Sequence, residues 1–402
     1  MLCPEVGKEK PVVSVIIPTY NRAALLREAL DSVYAQEGVG EVFEMEVIVV
    51  DDASADATPE VVRQYPGVRY TRLETNQGQY AALNVGITAS TGKYVALLDD
   101  DDLFLPHRLK AHVPVLEDHP EVGLVYGQVM VTGDGPDTPW PDASRAPSGN
   151  AFRAFLMEEF IIPCHVMVRR EAFEKAGYFD KSLRTMGHYD MFLRLSFYVP
   201  FAFVPGPVAI GRFSEQGKWF TNVRGGGYEQ TVPHIIERAL ALLPDAADRT
   251  ELRRKVLVSW FSQITYWLEK AGKVDRMRDH VLNTLKRDSW MVTERWALGS
   301  VVQSISMVAC ALALASDSPI ATMRDFCAEV RATTNGHGFR EWLGMKRVLA
   351  HLWAAVGSVL MKTDSSRHRW AAGHAALYSV LHNPTQLRRK VMLKLLAHAI
   401  LG

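Results

Sequence analysis

The sequence predicts an α/β domain, a mostly parallel sheet flanked by helices, followed by an all-helical C-terminal domain. Three observations carry this prediction. Up to Val131, short β-branched apolar runs alternate with stretches of helical periodicity. The segment 133–150 is then rich in Gly, Pro, Asp and Ser. Beyond Pro233 strand signals vanish, and apolar residues recur at helical spacing.

The elements follow in order. Val12–Ile17 (VVSVII) reads as a strand, and Arg22–Gln36 as a helix with Ala24, Leu25, Ala29, Leu30 and Val33 on one face. Glu46–Val50, Val68–Leu73, Tyr94–Leu98 and Val122–Val131 read as further strands; Thr58–Gln64, Gln79–Ala89 and Pro106–Glu117 read as the helices between them. Strand, helix and strand repeated in this way imply right-handed crossovers and a largely parallel sheet. In such sheets ligands bind beyond the carboxyl ends of the strands. Gly133–Asn150 reads as a surface loop. A strand at Cys164–Val168 leads into Arg170–Ala176, and a helix is expected over His188–Phe197. Ile235–Leu243, Arg249–Lys270, Asp275–Lys286, Thr293–Ala315, Ile320–Thr333, Phe339–Met361 and His368–Leu381 all read as helices. The expected division is a tail over 1–11, an α/β domain over 12–232 and a helical domain over 233–402.

Composition narrows the function classes. The 402 residues are 48% hydrophobic and 22% charged, which excludes a disordered or fibrous chain. Lys plus Arg (45) balances Asp plus Glu (45), leaving no global field to attract nucleic acid. Cys3, Cys164, Cys310 and Cys327 lie far apart with no CxxC pair, a pattern suited to a reducing cytosol. The N-terminal MLCPEVGKEK has no apolar core and does not read as a secretory signal. Trp296–Ser316 is uncharged and long enough to span a bilayer. Ser300, Gln303 and Ser304 put a polar stripe on it, so a buried helix is expected.

Polar clusters follow three of the strands: Pro18-Thr19-Tyr20-Asn21, Asp51-Asp52-Ala53-Ser54 and Asp99-Asp100-Asp101-Asp102. Consecutive aspartates repel unless something positive lies among them. One reading is a solvated acidic loop, with Asp102 capping the next helix. The other is a Mg²⁺ or Mn²⁺ site, because these ions prefer carboxylate, phosphate and water oxygens. In an extended segment Asp99 and Asp101 share one side, leaving Asp100 free for a ribose hydroxyl. Asp and Ser in the second cluster equally suit a helix cap, provided by Ser54 or Asp56.

The stretches VSVIIPTYNRAALLREALDSVYAQ, EVIVVDDASADAT and NQGQYAALNVGITASTGKYVALLDDDD resemble, in order, the family 2 glycosyltransferases of GT-A fold. The resemblance covers roughly residues 12–215 and leaves the helical half outside it. It implies a Rossmann-like domain that binds a nucleotide-sugar donor, with UDP the expected nucleotide, and transfers the sugar to a glycan or lipid-linked acceptor with inversion. Pro18, Thr19 and Tyr20 would wall the base pocket, and Asn21 would open the first helix. Asp52 would accept a hydrogen bond from the base. Asp99 or Asp100 would hold the ribose or sugar, with Asp101, and Asp99, as metal ligands. Gly78 and Gln79 fall where the family's third helix begins, and a glycine there lets backbone approach the ligand.

Two departures from the family pattern stand out. The family's catalytic base is an aspartate of an acidic pair preceding a helix like Tyr189–Leu195, but here the pair positions hold Gly187 and His188. Three readings stay open: His188 is the base, Asp190 is the base, or the site is silent and the domain a sugar-nucleotide-binding scaffold acting through its helical half. Asp190 also suits a helix cap. In Ile210–Tyr228, Arg212 matches the family while Ser214 replaces its histidine; Arg224-Gly225-Gly226-Gly227 reads either as a hinge closing over the diphosphate or as a linker. Cys164-His165 reads as a strand pair, and His107 and His112 as surface residues. A nucleotidyltransferase is disfavoured because no Gly-rich, Lys-containing loop follows Ile17. The basic amphipathic pattern within 383–402 suits either helix packing or an anionic membrane surface. A cytoplasmic protein, peripheral at the inner face of the membrane if those residues bind lipid, is the expectation.

Overall fold

The computed structural model describes residues 9–133, 136–212, 221, 223, 225–288, 291, 297–314 and 319–333. They form two compact units. One runs to Asn222 and takes up Gln230–Pro244; the other comprises Val223–Glu229 and the chain from Asp245.

In the first unit β1 (Val12–Thr19), β2 (Glu44–Asp51), β3 (Val68–Arg72) and β4 (Tyr94–Leu97) pair in parallel in the order β3-β2-β1-β4. α1 (Ala23–Tyr34), α2 (Thr58–Val62) and α3 (Gln79–Ala89) are the crossovers. Nearly all of β1 is buried, as expected of a strand covered on both faces. Val13, Val15 and Ile17 join one core with Leu26, Ala29, Leu30 and Val33 of α1. Ile48 and Val50 of β2 pack with Ala82 of α3 in a second. Alternation along the strands therefore divides the two layers.

The rest of the sheet is mixed. β5 (Leu103–Phe104) precedes α4 (Arg108–Asp118), and β6 (Leu124–Thr132), β7 (Thr138–Trp140), β8 (Val166–Arg169) and β9 (Phe201–Arg212) complete the order β4-β8-β6-β9-β5, with β7 on β6. β8 is antiparallel to both β4 and β6, while β9 runs parallel to β6. The parallel character expected of the sheet thus holds for its first four strands and for β6 with β9. β7 lies inside the segment read as a loop. β9 tolerates Pro205 and Pro207 because its register against β6 shifts around Gln128, whose side chain accepts the Gly206 N–H at 3.1 Å. α5 (Phe152–Met157), α6 (Arg170–Ala176) and α7 (Gly187–Tyr198) follow β7 and flank β8.

Strand order reverses between β1 and β4: β2 and β3 lie on one side, and β4 begins the other. The crevice beyond their carboxyl ends is the topological switch point of the sheet. The first and third polar clusters face each other there.

The helices α8 (Gly227–Leu240), α9 (Ala246–Lys270), α10 (Val274–Arg287), α11 (Leu298–Leu314) and α12 (Pro319–Ala332) follow, and the division between the units falls inside α8. Asp245 caps α9 by accepting the Asp248 N–H at 2.7 Å. Among the described residues no helix is long and apolar enough to cross a membrane. The helices expected at Phe339–Met361 and His368–Leu381, and the basic segment 383–402, lie outside the described residues.

Candidate active site

The site assembles from backbone outward. Thr19 ends β1 in register with Asp51 of β2, and the Asp52 N–H donates to the Thr19 carbonyl at 2.9 Å. Asn21 has φ 52°. Its N–H donates to Ser54 Oγ at 2.9 Å, and its Oδ1 accepts the Ala55 N–H at 2.7 Å. The first two clusters are thereby laced together. Asp56 caps two helices, accepting the Ala23 N–H of α1 at 2.9 Å and the Thr58 N–H of α2 at 3.1 Å. Asn21 itself sits ahead of α1 and caps nothing.

Asp52 is 3% exposed and grips the loop before α3: its two oxygens accept the Gln77 N–H at 2.7 Å and the Gly78 N–H at 2.8 Å. Gly78 adopts φ 93°, a backbone state that side-chain-bearing residues rarely take. Nothing lies where its Cβ would be, so conformation rather than space demands the glycine. Gln79 starts α3 and donates to Asp99 Oδ1 at 2.6 Å. Pro18 is buried, whereas Tyr20 is 45% exposed, a surface ring rather than a core one.

The four aspartates form a turn, not the extended segment anticipated, because β4 ends at Leu97 and the Asp102 N–H donates to the Asp99 carbonyl at 3.1 Å. The turn gathers one oxygen each from Asp99, Asp101 and Asp102 within 4.8 Å. Three hard carboxylate oxygens so close fit a divalent cation. Asp100 is not free, as the extended reading required. It is buried, accepts the Thr19 hydroxyl at 2.8 Å, and meets Arg22 Nη1 at 3.0 Å. The same Nη1 lies 2.7 Å from Asp101 Oδ2. Asp102 does not cap α4 either: it is buried, accepting the Arg212 N–H at 3.1 Å and the Cys164 thiol. Burial, reinforced by Asp99 and Asp101, pushes its carboxyl well above the usual range. Burial likewise raises Asp100, opposed by Arg22.

Arg212 ends β9 beside Asp102, with its guanidinium on Glu28. Beneath the cluster, Cys164 and His165 occupy a 3-10 turn (Pro163–His165) rather than a strand. Burial pushes the Cys164 thiol up and the His165 imidazole down to about 3. His107 is on the surface, but His112 is fully buried within α4 beside Arg108, and burial pulls its imidazole well below the ordinary value.

His188 and Asp190 begin α7 and face different surroundings. Nε2 of His188 lies 2.9 Å from Glu159 Oε1, and its Nδ1 lies 3.4 Å from the Tyr80 hydroxyl. Asp190 is 2% exposed; Oδ2 accepts Arg194 Nη2 at 2.8 Å and Nε at 3.1 Å, and Arg238 stands 3.8 Å from Oδ1. Asp190 is thus tied to Arg194 within its own helix, with Arg238 beside its other oxygen.

Sequence reading missed Arg22, Glu159 and the thiol of Cys164 as neighbours of these groups. Only Arg22 had a local signal, a cation directly after the first cluster. Ser214 and Arg224 lie outside the described residues.

The profile of glycosyl transferase family 2 matches residues 14–177. An uncharacterized glycosyltransferase of Rickettsia typhi is 32% identical over 194 residues, 46% of this chain and 60% of that protein. The succinoglycan biosynthesis protein ExoO of Rhizobium meliloti is 44% identical over 102 residues, 25% of this chain and 28% of that one. The chain therefore spans less than two thirds of either relative, though it covers 68% of an uncharacterized Mycobacterium bovis protein at 31% identity. Among solved structures, S. aureus TarS 1-349 superimposes with a TM-score of 0.52 at 18% identity, covering 81% of this chain and 92% of that one, a likeness of fold. With that fold, these relatives and the matched profile, the chain belongs to glycosyl transferase family 2.

Proposed function

We propose that this protein transfers a sugar, with inversion, from a UDP-linked donor to a hydroxyl of a glycan or lipid-linked acceptor. The observation that carries the reading is the convergence of Thr19, Asp52 and the Asp99–Asp102 turn on the switch point between β1 and β4. A nucleoside diphosphate fits that crevice: a base beside Tyr20 and Asp52, and phosphates over the acidic turn.

Asp52 is already oriented by two backbone N–H groups, and each carboxylate oxygen keeps a further lone pair for the imide N–H of uracil. Asp99, Asp101 and Asp102 would hold Mn²⁺ or Mg²⁺, which neutralises charge on a departing diphosphate. Arg22 stands beside Asp100 and Asp101 of the same turn and is the protein's own cation for that phosphate edge. Arg212 is its second, from the end of β9. His188 takes the proton of the acceptor hydroxyl as that oxygen attacks the anomeric carbon. The diphosphate leaves from the opposite side, which inverts the configuration.

The test is a thermal-shift panel of UDP-, GDP- and dTDP-sugars with and without Mn²⁺, followed by donor hydrolysis. Stabilisation by UDP-sugars only with metal, with hydrolysis, supports the enzyme. Binding with neither hydrolysis nor transfer to any offered acceptor favours a sugar-nucleotide-binding scaffold.

A further inference from the structure

We propose that Glu159 is the positioning residue for His188 and supplies, through space, the carboxylate that positions 187 and 188 lack. The inference rests on the reading of His188 as the base.

The ring of Tyr80 closes position 187 to any side chain. A Cβ on Gly187 would meet its Cε2 at 2.5 Å and Cζ at 2.6 Å. That ring cannot easily yield: it is buried, stacks on Phe179 at a centroid distance of 5.8 Å, and its hydroxyl accepts the Gly187 N–H at 2.9 Å. An acid at 187 would have to displace Tyr80 from the core. Glu159, from the segment after α5, reaches His188 instead and brings Oε1 within 2.9 Å of Nε2, an ion-pair contact that is not aligned as a hydrogen bond. Side-chain exposures of 11% and 21% leave the pair mostly screened from water, so its geometry is held.

This contact favours one tautomer. The negative carboxylate 2.9 Å from Nε2 favours the proton on that nitrogen, which leaves the lone pair on Nδ1. Nδ1 looks toward the Tyr80 hydroxyl at 3.4 Å, longer than a well-formed O–H···N bond. That weak contact is the one an acceptor hydroxyl replaces. The acceptor proton then passes to Nδ1 while its oxygen bonds to the anomeric carbon. The anomeric C–O bond to the diphosphate breaks, its electron pair leaving with the diphosphate. The imidazolium so formed keeps Nε2–H on Glu159, whose negative charge stabilises it.

Among the described residues, the groups facing the imidazole include Glu159 from the segment after α5, Tyr80 from α3, and Asp190 on its own helix, the last already paired with Arg194. Asp99 acts one step away, on the Tyr80 hydroxyl. Among the described residues, Glu159 is the carboxylate in direct reach.

The experiment follows the imidazole itself. In the full chain labelled with ¹³C,¹⁵N-histidine, the His188 signal is assigned by its loss in His188→Gln and titrated in wild type, Glu159→Gln and Glu159→Asp. The expected result is an Nε2–H tautomer in wild type, with the titration midpoint falling by about one pH unit in Glu159→Gln and partly recovering in Glu159→Asp. In transfer assays, kcat of Glu159→Gln falls about tenfold or more with the donor KM unchanged, and the acid limb of its pH profile moves to lower pH. An unchanged tautomer and midpoint in Glu159→Gln overturn the proposal, whatever happens to transfer. Unaffected transfer in His188→Ala overturns instead the reading of His188 as base.

Discussion

Arg22 stands 3.0 Å from Asp100 and 2.7 Å from Asp101, where a dication would compete for Asp101. Consecutive aspartates implied a positive partner, and in the folded chain part of that role is intramolecular. Replacing Arg22 with Gln removes the competitor, so Mn²⁺ should bind the nucleotide-free protein about three- to tenfold more tightly, an order set by one partly exposed charge contact. Titration followed by Mn²⁺ electron paramagnetic resonance reads this directly; unchanged or weaker binding contradicts the competition. At the same scale the two candidates in α7 separate. His188→Ala should fold normally and lose transfer by about a hundredfold or more. Asp190→Ala should instead lower stability by about 2–3 kcal/mol, because the half-buried Arg194 guanidinium loses its counter-charge and keeps only the Ala176 and Tyr178 carbonyls. Urea melts beside transfer assays distinguish them, and equal activity loss at full stability in both variants argues against this division. The polar clusters were legible in sequence because their residue types are costly at strand ends without a ligand. Glu159 was not, since its partner lies 29 positions away and nothing local marks the meeting.

Elements explain why those side chains hold still. The N-termini of α1 and α2 share one cap, Asp56, which ties the loop after β2 to the start of the helix after β1. Asp56→Ala should cost about 1–2 kcal/mol, the loss of a cap serving two helices, visible as a lower urea midpoint with an unchanged m-value. A loss of only a few tenths would mean water replaces the cap. Periodicity located β1 to β4 and α1 to α4 to within a few residues, since all but the half-exposed β3 carry buried apolar residues. β9 escaped because two prolines and a glycine break the pattern, and only the shifted register against β6 accommodates them. The Asp99–Asp102 turn escaped for a related reason: four like side chains carry no periodicity from which to tell an extended strand end from a turn.

Across the whole sheet, Glu46 joins four strands. It accepts from Ser14 of β1 at 2.6 Å, from Arg69 of β3 at 2.9 Å, and from the Thr91 and Gly92 N–H groups ahead of β4. Burial alone would raise its carboxyl, but these donors bring it down from 4.5 to about 2. A carboxylate depressed in the folded state stabilises above its unfolded value, and that contribution is lost as pH falls from about 4.5 toward 2. Glu46→Gln should therefore be less stable by about 1–2 kcal/mol at pH 7, discounted for solvent screening, and converge on wild type near pH 2. A pH-independent difference would point to packing instead. The same sheet sets its polar strand ends around the switch point, and the functional account stands on what fills them. Isothermal titration of UDP into wild type and Asp101→Asn, each with and without Mn²⁺, tests that most directly. The account predicts wild-type binding at least tenfold tighter with Mn²⁺ than without, and loss of that gain in Asp101→Asn. UDP binding of equal strength in all four titrations would contradict it.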